Sequence, residues 1–148
     1  MAKPAVDPKN LALIGLLNRI LSMEYTIIIH FPRLSAAFPD RAMRDKMLYL
    51  STASVKHASG VAAAIEKLGG EPCWSFEPFP DEDLPRIFEI QAEKERAVHD
   101  LHAQCAGMCA DPVMKKQFAE FAREEEWHEK LAQEITSYLK AKPPAGPR

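Results

Sequence analysis

The chain has 148 residues, 47% apolar and 27% charged, with a formal net charge of −2 and a pI near 6.2. This length supports one domain, 1–148, with its own core, and the composition is that of a soluble globular protein. The near-balanced charge excludes the basic footprint of a nucleic-acid or anionic-membrane partner.

The longest uninterrupted apolar run, residues 11–17, is too short to span a bilayer, and no small-residue cleavage site follows it. Three cysteines without a Cys-x-x-Cys pair fit a reducing, cytoplasmic setting.

Asp7-Pro8 opens the first predicted helix, roughly 8–36. The Asp side chain accepts orphan amide protons, and Pro at the first helical position loses nothing. Its stripe is Leu13, Leu17, Ile20, Glu24, Ile27, Phe31 and Leu34, spaced by threes and fours. Pro32 should kink or end this helix, because it removes the bond to the Ile28 carbonyl. A second apolar stripe, Ile14, Leu21, Tyr25 and Ile28, exceeds what one neighbour covers and predicts a homodimer.

Asp40 caps the second helix, roughly 40–69, and Gly69-Gly70 followed by Pro72 stops it. Its stripe runs Met43, Met47, Leu50, Ser54, His57, Val61, Ala64 and Leu68. The connection "GEPCWSFEPFP" (70–80) is long, and Trp74, Phe76 and Phe79 are expected to plug one end of the fold.

The third helix, roughly 81–110 behind Asp81, offers two stripes one residue apart. One is Leu84, Phe88, Gln91, Glu95, Val98, His102, Cys105 and Cys109. The other is Ile87, Ile90, Lys94, Leu101 and Met108. Glu95 is the preferred inward carboxylate and Glu93 the alternative. His102, Cys105 and Cys109 share a face that soft metals such as zinc or copper would suit, although small cysteines packing between helices is the favoured reading.

Asp111-Pro112 starts the fourth helix, roughly 112–140, with the stripe Phe118, Phe121, Glu125, His128, Ala132, Ile135 and Leu139, where Leu131 fills the layer of small Ala132. In "AREEEWHEKL", Glu125 and His128 therefore face inward, while Glu124 and Glu126 sit about 100° to either side and face water. The tail "KPPAGPR" cannot continue a helix. Together these elements predict an all-α antiparallel four-helix bundle with one long connection between helices 2 and 3.

A glutamate in an apolar seam is costly unless paired, hydrogen-bonded or bound to a cation. Glu24, Glu95 and Glu125 should converge with His57 and His128 at mid-bundle, a donor set suited to iron or manganese. Di-iron bundles use one Glu from each of two helices and Glu-x-x-His from the other two. Glu24 and Glu95 fill the single positions, and Glu125-Glu126-Trp127-His128 is a complete Glu-x-x-His.

On these residues the chain resembles the ferritin-like superfamily, in particular bacterioferritins and rubrerythrins. "LNRILSMEYTIIIHF" (17–31) is similar to a bacterioferritin first helix with its ligand at Glu24. "SVKHA" followed by "LGGEP" is similar to the second helix and its exit, and "EEEWHEKL" to a rubrerythrin fourth helix. The resemblance spans roughly 10–140. It implies a ferritin-like bundle with a metal site at Glu24, His57, Glu95, Glu125 and His128 that holds one or two ions of iron, or manganese, per chain. It also implies redox chemistry with oxygen or peroxide, or ferroxidase activity, served by an electron-transfer partner the sequence does not name.

Ser54 departs from that pattern, standing where the family places a bridging glutamate. Val55 replaces the haem-ligating methionine of bacterioferritins, and no Cys-x-x-Cys provides a rubredoxin centre. Neither haem, a rubredoxin centre nor an iron-storage shell is therefore expected. The alternative function is a non-catalytic dimeric bundle with a degenerate site, acting through protein or small-molecule binding.

Overall fold

The computed structural model describes residues 5–141, so the tail "KPPAGPR" lies outside the described residues. After a 3-10 turn at Pro8–Asn10 come α1 (Leu11–Leu34), a second 3-10 turn (Ser35–Ala37), α2 (Arg41–Lys67), α3 (Leu84–Met108) and α4 (Pro112–Ala141). No strand occurs among the described residues. α1 packs on α2 and α3, and α4 packs on α3 and α2. Each of these neighbouring pairs is antiparallel, and the long connection leaves the diagonal pairs parallel.

The punctuation acts mostly as its chemistry dictates. Asp40 accepts from the Met43 amide and Asp111 from the amides of Val113 and Met114. Asp7 caps the short 3-10 turn through the Lys9 amide. α3 differs from expectation: Asp83, not Asp81, is its cap, bonding the Arg86 amide. Pro85 decides this, since proline is tolerated only in a first helical turn.

α2 ends in a Schellman motif, Gly69 N–H to the Glu66 carbonyl and Gly70 N–H to that of Ile65, with Gly69 at φ +86°. Pro32 neither stops α1 at once nor lies outside it: the helix runs two residues further before the 3-10 turn at Ser35.

The predicted stripes of α1, α2 and α4 are the buried faces, with only Met43, Leu68 and Leu139 partly buried. On α3 the stripe through Glu95 and His102 is inward, with Leu84 partly buried, and Glu93 is exposed. Two apolar clusters result. One lies toward the start of α1 around Leu17, Val61, Val98 and Phe118, the other toward its end around Phe31, Met47, Phe88 and Ile135. The polar residues lie between them.

The connection does not plug an end of the bundle. It runs along the outside of α1, pinned by Cys73 N–H to Asn18 Oδ1 (2.8 Å) and Glu77 N–H to Thr26 Oγ1 (3.0 Å). Trp74 is 76% exposed and packs on Tyr25, while Phe79 meets His30 and the Arg33 guanidinium. Linking the far end of α2 to the start of α3 requires a path along the whole bundle, so these aromatics lie on a flank.

Ile14 and Leu21 of the surplus α1 stripe are buried within the chain, and Trp74 covers Tyr25. Much of that stripe is therefore satisfied without a partner. By length and composition the span Pro8–Ala37 is nevertheless apolar enough to cross a bilayer, with mean hydropathy 1.5, which the short run at its start does not suggest.

Candidate metal centre

Between the two apolar clusters α1 contributes Glu24, α2 His57, α3 Glu95 and His102, and α4 Glu125 and His128. All six are buried. Glu95 and His102 are two turns apart on one face of α3, and Glu125 and His128 are one turn apart on α4, so ordinary helical period aims each pair inward.

Glu125 is the hub. Its Oε1 accepts from His57 Nδ1 at 2.6 Å and lies 3.7 Å from His102 Nε2, while its Oε2 lies 3.1 Å from His128 Nδ1. Glu24 Oε1 is 3.3 Å from His57 Nδ1. Glu95 accepts from Gln91 Nε2 at 2.8 Å, lies 3.9 Å from His128 Nδ1 and hydrogen-bonds Glu125. The second ring nitrogen of His57 donates to Glu124 Oε2 at 2.6 Å, and Glu124 in turn accepts from Lys56 at 2.8 Å.

Burial of so many ionisable groups redistributes their protons. Burial, then the Glu125 charge, push Glu24 up to about 8, and burial and the bond to Glu125 hold Glu95 well above the usual carboxylate range. Burial also opposes ionisation of Glu125, but bonds from Glu95, His128 and His57 outweigh it and hold that carboxyl well below its ordinary value. Burial opposes the charge on His57 too, yet its bonds to Glu125 and Glu24 push it up to about 10. Burial takes His102 down to about 4. At neutral pH the cluster thus holds Glu125 as carboxylate, His57 as imidazolium, and Glu24 and His102 uncharged, with Glu95 biased toward its protonated form.

All five sequence-predicted residues, Glu24, His57, Glu95, Glu125 and His128, come together. Two others were not placed in the centre from sequence. Glu124 does not simply face water: it reaches across to His57, because α2 packs beside that flank of α4. His102 joins Glu24, His57 and Glu125 rather than a soft-metal set with Cys105 and Cys109. Among the described residues the candidate ion-holding groups are Glu24, His57, His102 and Glu125, and Glu95, Glu125 and His128, the donor atoms of each group lying within 4.8 Å of one another. Its place on the Glu95 stripe was the signal for His102. Ser54 is buried on the same face of α2, one turn before His57.

No family model matches the chain. It is 25% identical over 142 residues to a bacterioferritin of Desulfovibrio desulfuricans, covering 90% of this chain and 79% of that one. The X-ray structure of the Desulfovibrio desulfuricans bacterioferritin, which describes its diiron site in different catalytic states, superposes with a TM-score of 0.75 at 25% identity, covering 89% of this chain and 82% of that one. A ferritin-like, diiron-carboxylate protein from Bacillus anthracis has the same fold, with a TM-score of 0.76 at 19% identity over 88% of this chain and 99% of that one.

The chain has the ferritin-like fold of these proteins.

The residues of this ferritin-like chain fit a divalent ion on structural grounds. Both nitrogens of His102 are buried without a hydrogen-bond partner. Buried polar groups in native proteins are nearly always paired, so this imidazole requires an explanation. Three carboxylates and three imidazoles around one buried spot are donors that iron and its neighbours accept. His57, backed by Glu124, has the carboxylate support that orients metal-ligating histidines.

Proposed function

We propose that this ferritin-like chain binds iron, or manganese, at its buried carboxylate–histidine centre and acts as a redox protein toward oxygen, peroxide or ferrous ion. The observation that carries this reading is the convergence of Glu24, His57, Glu95, Glu125 and His128 from all four helices, together with the unpartnered nitrogens of His102. Buried imidazole nitrogens without a hydrogen bond favour an ion-binding centre over a degenerate, non-catalytic bundle. The diiron sites of the proteins it resembles support it further.

Glu125 would hold the ligand set together, with Glu24 and His57 on one side and Glu95 and His128 on the other. Glu124 would hold the imidazole of His57 by its outer nitrogen. Gln91 would orient Glu95. Such an ion supplies the electrons, and the open coordination position, that oxygen or peroxide chemistry needs. Phe118 and Phe121 pack against His102 and keep that side dry. Small reactants would approach from the recess lined by Tyr49, Glu120, Arg123, Glu124, Trp127 and His128, where the buried His128 borders the surface. Glu24, which holds its proton up to about pH 8, would release it as an ion binds.

Outside the centre, we read the chain as a cytoplasmic homodimer. The three cysteines are free thiols, which suits a reducing compartment, and exposed Leu11 and Ile29 remain on α1 for a second copy. Light scattering at micromolar concentration giving a clean monomer mass would end the dimer reading.

The deciding experiment is metal content per chain after purification, without a metal-affinity tag, from cells supplied with iron and manganese. One or two ions per chain, lost in Glu125→Ala, would support the reading. No metal in the unaltered protein would overturn it and leave the non-catalytic bundle.

A further inference from the structure

The six inward residues do not form one symmetric set. Glu125 divides them: its Oε1 faces His57 and His102, and its Oε2 faces His128. On the first side stand Glu24, His57, His102 and Glu125, two imidazoles and two carboxylates. On the second stand Glu95, Glu125 and His128, one imidazole and two carboxylates.

We propose that these two compartments take different ions: a tetrahedral, zinc-like ion in the four-donor compartment, and an oxygen-preferring ion, manganese or ferrous iron, in the three-donor compartment. This rests on the metal-binding reading above and adds His102 as a ligand.

Donor count separates the compartments first. Four protein donors close a tetrahedral site, whereas three leave a position for water or a small reactant. Distances agree. Bonds of 2.0–2.1 Å place tetrahedral donors about 3.3 Å apart. The separations here are 3.3 Å for Glu24 to His57, 2.6 Å for His57 to Glu125 and 3.7 Å for His102 to Glu125.

Donor type separates them again. Zinc exceeds iron and manganese in affinity for mixed nitrogen and oxygen sites, and a second imidazole widens that preference, while carboxylates suit manganese. His102 is the residue that makes the difference. It is fully buried, makes no hydrogen bond at either nitrogen, and has its Nε2 3.7 Å from the Glu125 oxygen that His57 also meets. With Ser54 offering no carboxylate from α2, His102 brings the fourth donor from the opposite diagonal helix.

The test begins with metal-free full-length protein, exposed to zinc and manganese together, freed of unbound ions and assayed by plasma mass spectrometry. About one zinc and one manganese per chain are expected. His102→Ala should lose the zinc and keep the manganese, and Glu95→Gln should do the reverse, with helix content checked by circular dichroism. Two readouts need no variant. The manganese should give an uncoupled six-line paramagnetic resonance spectrum, and cobalt in place of zinc the intense visible bands of a tetrahedral ion.

Two ions of one kind per chain, a coupled manganese pair, or weak octahedral cobalt bands would overturn the proposal. Zinc retained in folded His102→Ala would overturn it as well. Failure to bind any ion would instead overturn the metal-binding reading beneath it, so the two failures are distinguishable.

Discussion

His57 and Glu125 form an ion pair between α2 and α4, Nδ1 to Oε1 at 2.6 Å, with both side chains sealed from water. A buried pair is worth little beyond its desolvation cost unless other bonds complete it. Here Glu24 and Glu124 complete the imidazolium, and Glu95 and His128 complete the carboxylate. The pair is therefore the proton-filled form of the same ligand set.

Stability of the metal-free protein should fall as pH rises. Glu24 and His57 are raised, to about 8 and about 10, and Glu95 well above its ordinary value. Each holds its proton more tightly folded than unfolded. Their contribution is complete below the unfolded values of about 4.5 for Glu and 6.5 for His, and is lost as pH climbs through the folded ones. His102 and Glu125 are depressed and act oppositely, losing their contribution as pH falls below about 6.5 and 4.5 respectively. Tm of the metal-free chain should thus be highest near pH 5–6 and drop by roughly 5–10 °C by pH 9. Metal affinity should rise over the same window, because binding expels those protons. A Tm that climbs from pH 6 to 9 without metal would contradict the proton assignment.

Glu124→Gln should weaken metal binding about 10- to 100-fold while leaving the helices intact, the usual cost of removing the carboxylate behind a ligating histidine. Competition against a chromogenic chelator measures it. An unchanged affinity would mean that Glu124 serves only Lys56.

Gly60 lets α4 approach α2. A Cβ there would lie 2.8 Å from the Phe121 ring, whose face packs on His57 with ring centroids 4.4 Å apart. Gly60→Ala gains up to about 1 kcal/mol of helix propensity but must displace that ring, at about 1–3 kcal/mol. A net loss in urea unfolding is expected, with weaker metal binding as Phe121 pushes His57 aside. A gain in stability would show that Phe121 is free to move.

Ser54→Glu would introduce a carboxylate at a buried position one turn from His57. If Ser54 occupies a surrendered ligand position, the variant should take up additional iron per chain and gain ferroxidase activity. If it only loses stability, by the few kcal/mol that an unpaired buried charge costs, Ser54 is a packing residue.

The helices, the caps of α2 and α4 and the identity of the buried faces were legible from sequence, since caps and stripes depend on residues only three or four positions apart. Glu24, His57, Glu125 and His128 followed from the same local rule. α3 was ambiguous because Ile87, Ile90 and Leu101 are as apolar as the true inner stripe, and only packing against α1 and α4 selects its rotation. The homodimer argument from α1 did not anticipate Trp74, because a connection's path is invisible to periodicity.

What the sequence determined by itself was therefore the set of residues that turn inward, a property of each helix alone. Only the tertiary structure decided which of them meet. His102 was placed on the inner stripe but matched with Cys105 and Cys109 from its own helix, whereas packing sets it against Glu125 of α4. Heights on different helices are matched by the stagger that loops and side-chain packing impose, and no local spacing records that stagger. The same stagger brings Glu124, outward by its own helix's period, onto His57 of the neighbouring one.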